Sequence, residues 1–230
     1  MTLLEDISKS IEEGKIKRTK ELVKLAVDGG TNPRTVLTEG LLNGLKAVGR
    51  RFDRDSFMVT EMLVSARCIN ESMEILKPML LPPGGKPIGR ACIGTVRGDL
   101  HDVGKNIVKL MLESRGIEIV DLGVDVPPER FVRAVKEDGC ELVCCSALLT
   151  ATMQELPRVI HALRNAHVRD EVIVMVGGVP VTAAYAKRIG ADIYSEDGYA
   201  AAEKAEAALL ALHEKKKDDK DESKGGPQWI

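Results

Sequence analysis

The 230-residue sequence predicts an α/β protein in which an amino-terminal four-helix bundle precedes a doubly wound, five-stranded parallel sheet. Apolar residues recur at helical spacing up to residue 80, and a proline- and glycine-rich break follows at 81–87. Beyond it, short apolar runs alternate with amphipathic stretches, the pattern of repeated strand–helix units.

The first helix is marked by Leu3, Leu4, Ile7 and Ile11 and stops at Gly14. Leu22, Leu25 and Ala26 mark a second, ended by Gly29-Gly30. Pro33 opens a third with Val36, Leu37, Leu41, Leu45, Val48 and Phe52 on one stripe, and a fourth carries Val59, Met62, Leu63, Ala66, Ile69, Met73 and Leu76. Four such helices on short connections make a bundle over residues 1–80. The segment Leu81-Pro82-Pro83-Gly84-Gly85-Lys86-Pro87 cannot continue a helix and is expected to be a linker.

From residue 88 to 213 the sequence predicts strands at Ile88–Val96, Ile117–Leu122, Leu142–Ala147, Val172–Val176 and Asp192–Tyr194. Helices are expected at Val103–Ser114, Pro128–Glu137, Met153–Asn165 and Thr182–Ile189, with a last one ending near Leu212. Residues 214–230 balance lysines against acidic residues and offer little to bury, which predicts a disordered charged tail.

Lysine and arginine number 33 against 35 aspartates and glutamates, so no global basic field points to nucleic acid. Acidic residues interrupt the apolar ones at the amino terminus and no long apolar run follows, so neither a signal peptide nor a membrane span is expected and the setting is read as cytoplasmic. The five cysteines form no C-x-x-C pair and are expected to be reduced core residues.

The residues that carry chemistry are Asp99-x-His101-x-x-Gly104, Ser146-x-Leu148 and Gly177-Gly178. They fall after the first strand and at the ends of the third and fourth. With strand order 2-1-3-4-5 they converge on the carboxyl edge beside the switch point, where open α/β sheets bind ligands. A neutral imidazole binds metal through one nitrogen when the other is held, and Asp99 is placed to accept the N–H of His101. Ser146, across the switch point, is expected to bond that carboxylate. Taken singly, a D-x-H loop also serves as a helix cap, and G-G also ends many strands.

Together and in this order, these pieces resemble the signature of the cobalamin-binding domains of corrinoid methyl-transfer proteins, whose modules also occur in methionine synthase. The resemblance implies a flavodoxin-like (Rossmann-like) cobalamin-binding domain with a helical cap over the upper face of the corrin. It implies cobalamin or a related corrinoid, as cob(I)alamin and methylcobalamin, with His101 as the lower axial ligand to cobalt and Asp99 and Ser146 as its control network. Further cofactor contacts are implied at Asp102, Val103, Gly104, Leu148, Gly177 and Gly178, with Tyr194 and Ser195 as walls of the nucleotide-tail pocket. Thr150, with Thr152, either binds the tail or caps a helix. On the cap, Met58, Glu61 and Met62 either face the corrin or pack the bundle.

The implied role is a methyl carrier with no catalytic acid, base or nucleophile of its own. Its implied partners are a substrate:corrinoid methyltransferase, an acceptor methyltransferase using tetrahydrofolate or a thiol, and a reductive activator. Methanol, methylamines, glycine betaine and aromatic methyl ethers (O-demethylase systems) are the implied donor classes, typically in anaerobes. A cobalamin-dependent sensor, a mutase subunit and an FMN-binding flavodoxin-like domain are the alternatives.

Overall fold

A computed structural model describes the backbone of residues 2–52, 59–80 and 87–224, and the side chains there except at 49–52, 59–62 and 217–224. The chain divides into two compact units, Met1–Leu81 and Pro82–Ile230.

In the first unit, α1 (Leu3–Glu12) begins with a capping box. Thr2 Oγ1 accepts the Glu5 N–H at 3.3 Å, and Glu5 Oε2 accepts the Thr2 N–H at 2.7 Å. Next come α2 (Ile16–Asp28) and a single turn, α3 (Pro33–Thr35), capped by Asn32 Oδ1 on the Arg34 N–H at 2.9 Å. The third helix expected from sequence is interrupted: a π-helical stretch, Val36–Leu41, separates α3 from α4 (Leu42–Phe52). The Ser8 hydroxyl of α1 donates to the Gly40 carbonyl at 2.7 Å and the Glu39 carbonyl at 3.3 Å, a tertiary contact that helical periodicity cannot reveal. Last is α5 (Val59–Leu80), tied to α1 by Ser65 Oγ on the Ile11 carbonyl at 2.8 Å. Ile7, Ile11, Leu22, Val23, Leu37, Leu41, Ile69 and Leu76 form the buried interior.

The second unit runs β1 (Gly89–Val96), α6 (Val103–Glu113), β2 (Ile117–Val126), α7 (Pro128–Asp138), β3 (Leu142–Ser146) and α8 (Glu155–Asn165). A 3-10 turn, Arg169–Glu171, then leads to β4 (Ile173–Gly177), α9 (Ala183–Ile189), β5 (Ile193–Tyr194) and α10 (Gly198–Lys224). The five strands are parallel in the order β2-β1-β3-β4-β5, so β1 and β3 flank the switch point. One face packs Cys92, Val143, Cys145, Val174 and Val176 against Phe131 of α7 and Leu156, Val159 and Ile160 of α8. The opposite face is covered by α6 and α10. The cysteines Cys68, Cys92, Cys140, Cys144 and Cys145 are free thiols and all are buried.

Three boundaries of the second unit differ from the sequence expectation by more than one residue. β2 continues past Leu122 to Val126, because register shifts between Ile93 and Gly94 and between Gly94 and Val96 let it bulge and still pair Val126 with Val96. α8 starts at Glu155, since Thr152 and Met153 donate their N–H groups to Leu149 in a turn. The tail expected to be disordered from 214 is helical to Lys224. Glu and Lys side chains favour a helix without burial, Lys216 Nζ reaches Glu141 Oε1 at 2.9 Å, and no glycine or proline stands between Gly198 and Gly225-Gly226. Residues 81–86 of the expected 81–87 linker, and Trp229, lie outside the described residues. No described helix is long and apolar enough to cross a membrane.

Candidate functional site

β1 ends at Val96, and the chain turns through Gly98, at φ 78, to bring Asp99 under the strand ends. Asp99 is 0% exposed, an expensive position for a carboxylate unless hydrogen bonds replace its water. Its Oδ1 accepts the His101 backbone N–H at 3.2 Å and faces His101 Nδ1 at 2.6 Å. Its Oδ2 accepts the Leu148 N–H at 2.7 Å, the Leu149 N–H at 3.2 Å and the Thr152 hydroxyl at 2.7 Å. Burial pushes the Asp99 pKa up, but the bonds from Thr152, His101 and the Leu148 and His101 amides outweigh it and hold the group at about 2. Asp99 is therefore ionised at neutral pH.

An ionised carboxylate accepts, so the contact holds a proton on His101 Nδ1, and in the neutral ring Nε2 then carries a free lone pair. The His101 side chain is 47% exposed, and Nε2 has no hydrogen-bond partner among the described residues. The backbone beneath it is fixed by Thr95 Oγ1, which donates to the His101 carbonyl at 2.7 Å.

Ser146 does not take the expected place on Asp99. It pairs with Thr95 and Gly177 at the end of β3, which sets its side chain on the sheet face of Ile93, Cys144 and Met175. Among the described residues its hydroxyl bonds nothing, and Thr152, in the turn before α8, completes the network instead. Thr150 is exposed and makes no side-chain hydrogen bond among the described residues. Leu148 contributes through its backbone N–H.

Asp102 sits at the N-cap position of α6 without capping it, and its carboxylate accepts from Asn106 Nδ2 at 3.3 Å. Val103 opens that helix, and a Cβ on Gly104 would meet nothing within 4 Å. Gly178, at φ 125, is required by the chain itself, since a Cβ there would overlap the Ala147 carbonyl oxygen. A Cβ on Gly177 would make only ordinary contact, with Ser195 O at 3.5 Å. Tyr194 pairs with Val176 and packs partly against the core, and buried Ser195 donates to the Asp197 carbonyl at 2.9 Å. Met58 lies outside the described residues, as do the side chains of Glu61 and Met62.

The same sheet edge exposes apolar side chains, Leu100 at 72%, Val179 at 85% and Leu149. Exposed apolar side chains on the edge that carries an imidazole suit a large ring-shaped ligand with a metal at its centre, as a corrinoid is.

The fold and the edge thus define a cobalamin-binding protein, and the comparisons with known proteins agree. Residues 89–205 match a B12 binding domain profile, and residues 3–77 match a second B12 binding domain profile. The chain is 38% identical to trimethylamine corrinoid protein 1 of Methanosarcina acetivorans over 192 residues, 83% of this chain and 89% of that one. It is 37% identical to the dimethylamine corrinoid protein of Methanosarcina barkeri over 210 residues, 89% of this chain and 98% of that one. Among solved structures it superposes on the monomethylamine corrinoid protein of Methanosarcina barkeri with a TM-score of 0.82 and 34% identity, covering 88% of this chain and 96% of that one. It also superposes on the methanol:cobalamin methyltransferase complex of the same organism, with a TM-score of 0.52 and 28% identity over 90% of this chain and 80% of that one. The chain belongs to the family of methyltransferase-cognate corrinoid proteins.

Proposed function

We propose that this chain is the methyl carrier of a methyltransferase system whose donor is a methylated amine. The observation that carries the reading is the Asp99–His101 pair: a fully buried, ionised carboxylate on Nδ1 of a half-exposed imidazole whose Nε2 is free. His101 would hold the cobalt of a corrinoid through Nε2. Asp99 would fix the tautomer and orientation of the ring, and Thr152 with the Leu148 and Leu149 amides would hold Asp99. Leu100, Leu149, Val179 and the open space at Gly104 would border the ligand, and Gly177, Gly178, Tyr194 and Ser195 would line its tail.

When bound, the corrinoid supplies a cobalt that accepts and releases a methyl group, a reactivity the protein orients rather than creates. The methylated-amine donor is supported by relatives named for trimethylamine, dimethylamine and monomethylamine. The partners that follow are an amine-specific methyltransferase, an acceptor methyltransferase acting on a thiol or tetrahydrofolate, and a reductive activator of the cobalt.

The test is reconstitution with cobalamin and electron paramagnetic resonance of the cobalt(II) form. An imidazole-nitrogen splitting is expected in the parent and its loss in His101→Ala; a splitting that survives the substitution removes His101 as the ligand. Turnover with a methylamine and its matching methyltransferase, but not with methanol and its own, is the expected donor preference. The reverse preference overturns the assignment of the donor.

A further inference from the structure

The loop that carries Asp99 and His101 is also held from the side of β2. Asp125, the residue before Val126 at the end of that strand, has φ 53, in the left-handed region that aspartate tolerates better than most residues but still at a cost. In that conformation it makes two bonds to the loop after β1. Its Oδ1 accepts the Gly98 N–H at 2.7 Å, and its own N–H donates to the Asp99 carbonyl at 3.0 Å. The first bond pins the peptide entering Gly98 and the second pins the peptide leaving Asp99, so the two bracket the residue whose carboxylate holds His101. The register shifts between β1 and β2 are what carry β2 far enough to reach this loop. A strained residue touching a ligand-site loop points toward a role in that site.

We propose that Asp125 is a positioning residue: by clamping Gly98 and Asp99 it fixes the direction in which the Asp99 carboxylate, and through it the His101 imidazole, faces the corrinoid. The proposal rests on the reading of His101 as the ligand. Among the described residues Asp125 makes no side-chain hydrogen bond to the groups that bond the Asp99 carboxylate, namely His101, Thr152 and the amides of Leu148 and Leu149. Losing the Asp125 side chain therefore loosens the direction of the histidine without emptying its carboxylate of partners.

Three substitutions separate strain from hydrogen bonding. Asp125→Gly removes the acceptor and relieves the left-handed strain, Asp125→Ala removes the acceptor and keeps the strain, and Asp125→Asn keeps an acceptor oxygen. Two readouts are used: nitrogen-15 resonance of the His101 ring in corrinoid-free protein, and the ratio of imidazole-bound to imidazole-free cobalt(II) after loading with cobalamin. The parent and Asp125→Asn are expected to show one Nδ1–H tautomer and matching ratios. Asp125→Gly and Asp125→Ala are expected to mix the tautomers and lower the ratio about 2- to 10-fold, the span of one lost hydrogen bond. Unchanged ring and cobalt spectra in Asp125→Gly overturn the proposal. If Asp125→Gly fails to fold, the contrast between Ala and Asn decides in the same way. If the parent shows no imidazole-bound cobalt, the ligand reading fails by itself, and the ring resonance still decides whether the clamp exists.

Discussion

The two edges of the sheet each carry a histidine on a carboxylate, and the two pairs differ in everything but that contact. At the carboxyl edge, His101 Nδ1 meets Asp99 at 2.6 Å, and the carboxylate is wholly buried among a hydroxyl and backbone amides. At the amino edge, His213 Nε2 of α10 meets Glu141 Oε2 at 2.9 Å, and Glu141, its side chain 25% exposed, also receives Lys216. Among the described residues the Glu141 carboxylate binds only side chains of one helix, so it fastens α10 beside the start of β3. The Asp99 carboxylate instead joins two loops, its own D-x-H loop through His101 and the loop between β3 and α8 through the Leu148 and Leu149 amides and the Thr152 hydroxyl. A histidine on a carboxylate becomes a candidate ligand only when the carboxylate is itself immobilised and apolar surface waits beside the free nitrogen.

Substitution of the two carboxylates sharpens the contrast. Asp99→Ala strands the Leu148 and Leu149 amides and leaves the Thr152 hydroxyl only the Leu149 carbonyl, so urea unfolding of the corrinoid-free protein is expected to show a loss of about 3 kcal/mol. A loss below that of Glu141→Ala would erase the distinction between the edges.

Acid separates them next. The Asp99 pKa in the folded state, about 2, lies below its ordinary value of 3.8, so on acidification the unfolded chain takes the proton first. The stabilisation from Asp99 is thus full above about pH 4 and is lost as pH falls from about 4 to about 2, amounting to about 2 kcal/mol. The stability difference between the parent and Asp99→Asn should narrow across that window, measured by urea midpoints. A constant difference would mean that Asp99 is not held in its ionised form.

The smallest effect is expected at the amino edge. Burial raises the Glu141 pKa, while Lys216 and His213 lower it further, so the net direction is down. The pair is partly solvated, and Glu141→Gln should cost about 0.5 to 1 kcal/mol and leave the imidazole-bound cobalt signal unchanged. A changed signal would mean that α10 communicates with the other edge.

Much of this was legible from residue patterns. Helical periodicity located the helices that build the first unit, strand–helix alternation gave the element order of the second, and the D-x-H spacing anticipated the contact between Asp99 and the His101 ring. The hydroxyl that completes the network was not legible. Ser146 and Thr152 are both near in sequence, and the choice is made by the face on which β3 sets Ser146 and by the turn that carries Thr152 back. The π-helical stretch is met by Ser8, 32 residues from Gly40 in sequence, and the reach of β2 depends on bulges that leave little mark on apolar alternation. The length of α10 escaped because helix propensity acts without burial, whereas the sequence argument had looked for something to bury.

The buried thiols give the molecule a reporter for its own opening. Cys68 lies in the helical unit, and Cys144 and Cys145 lie within β3, all of them shut away from solvent. Burial raises the pKa of each of these thiols, so in the native state they lack both the access and the thiolate that alkylation needs. Labelling therefore waits on structural opening, and its rate at Cys68 times the helical unit separately from the rate at Cys144 and Cys145, which times the sheet.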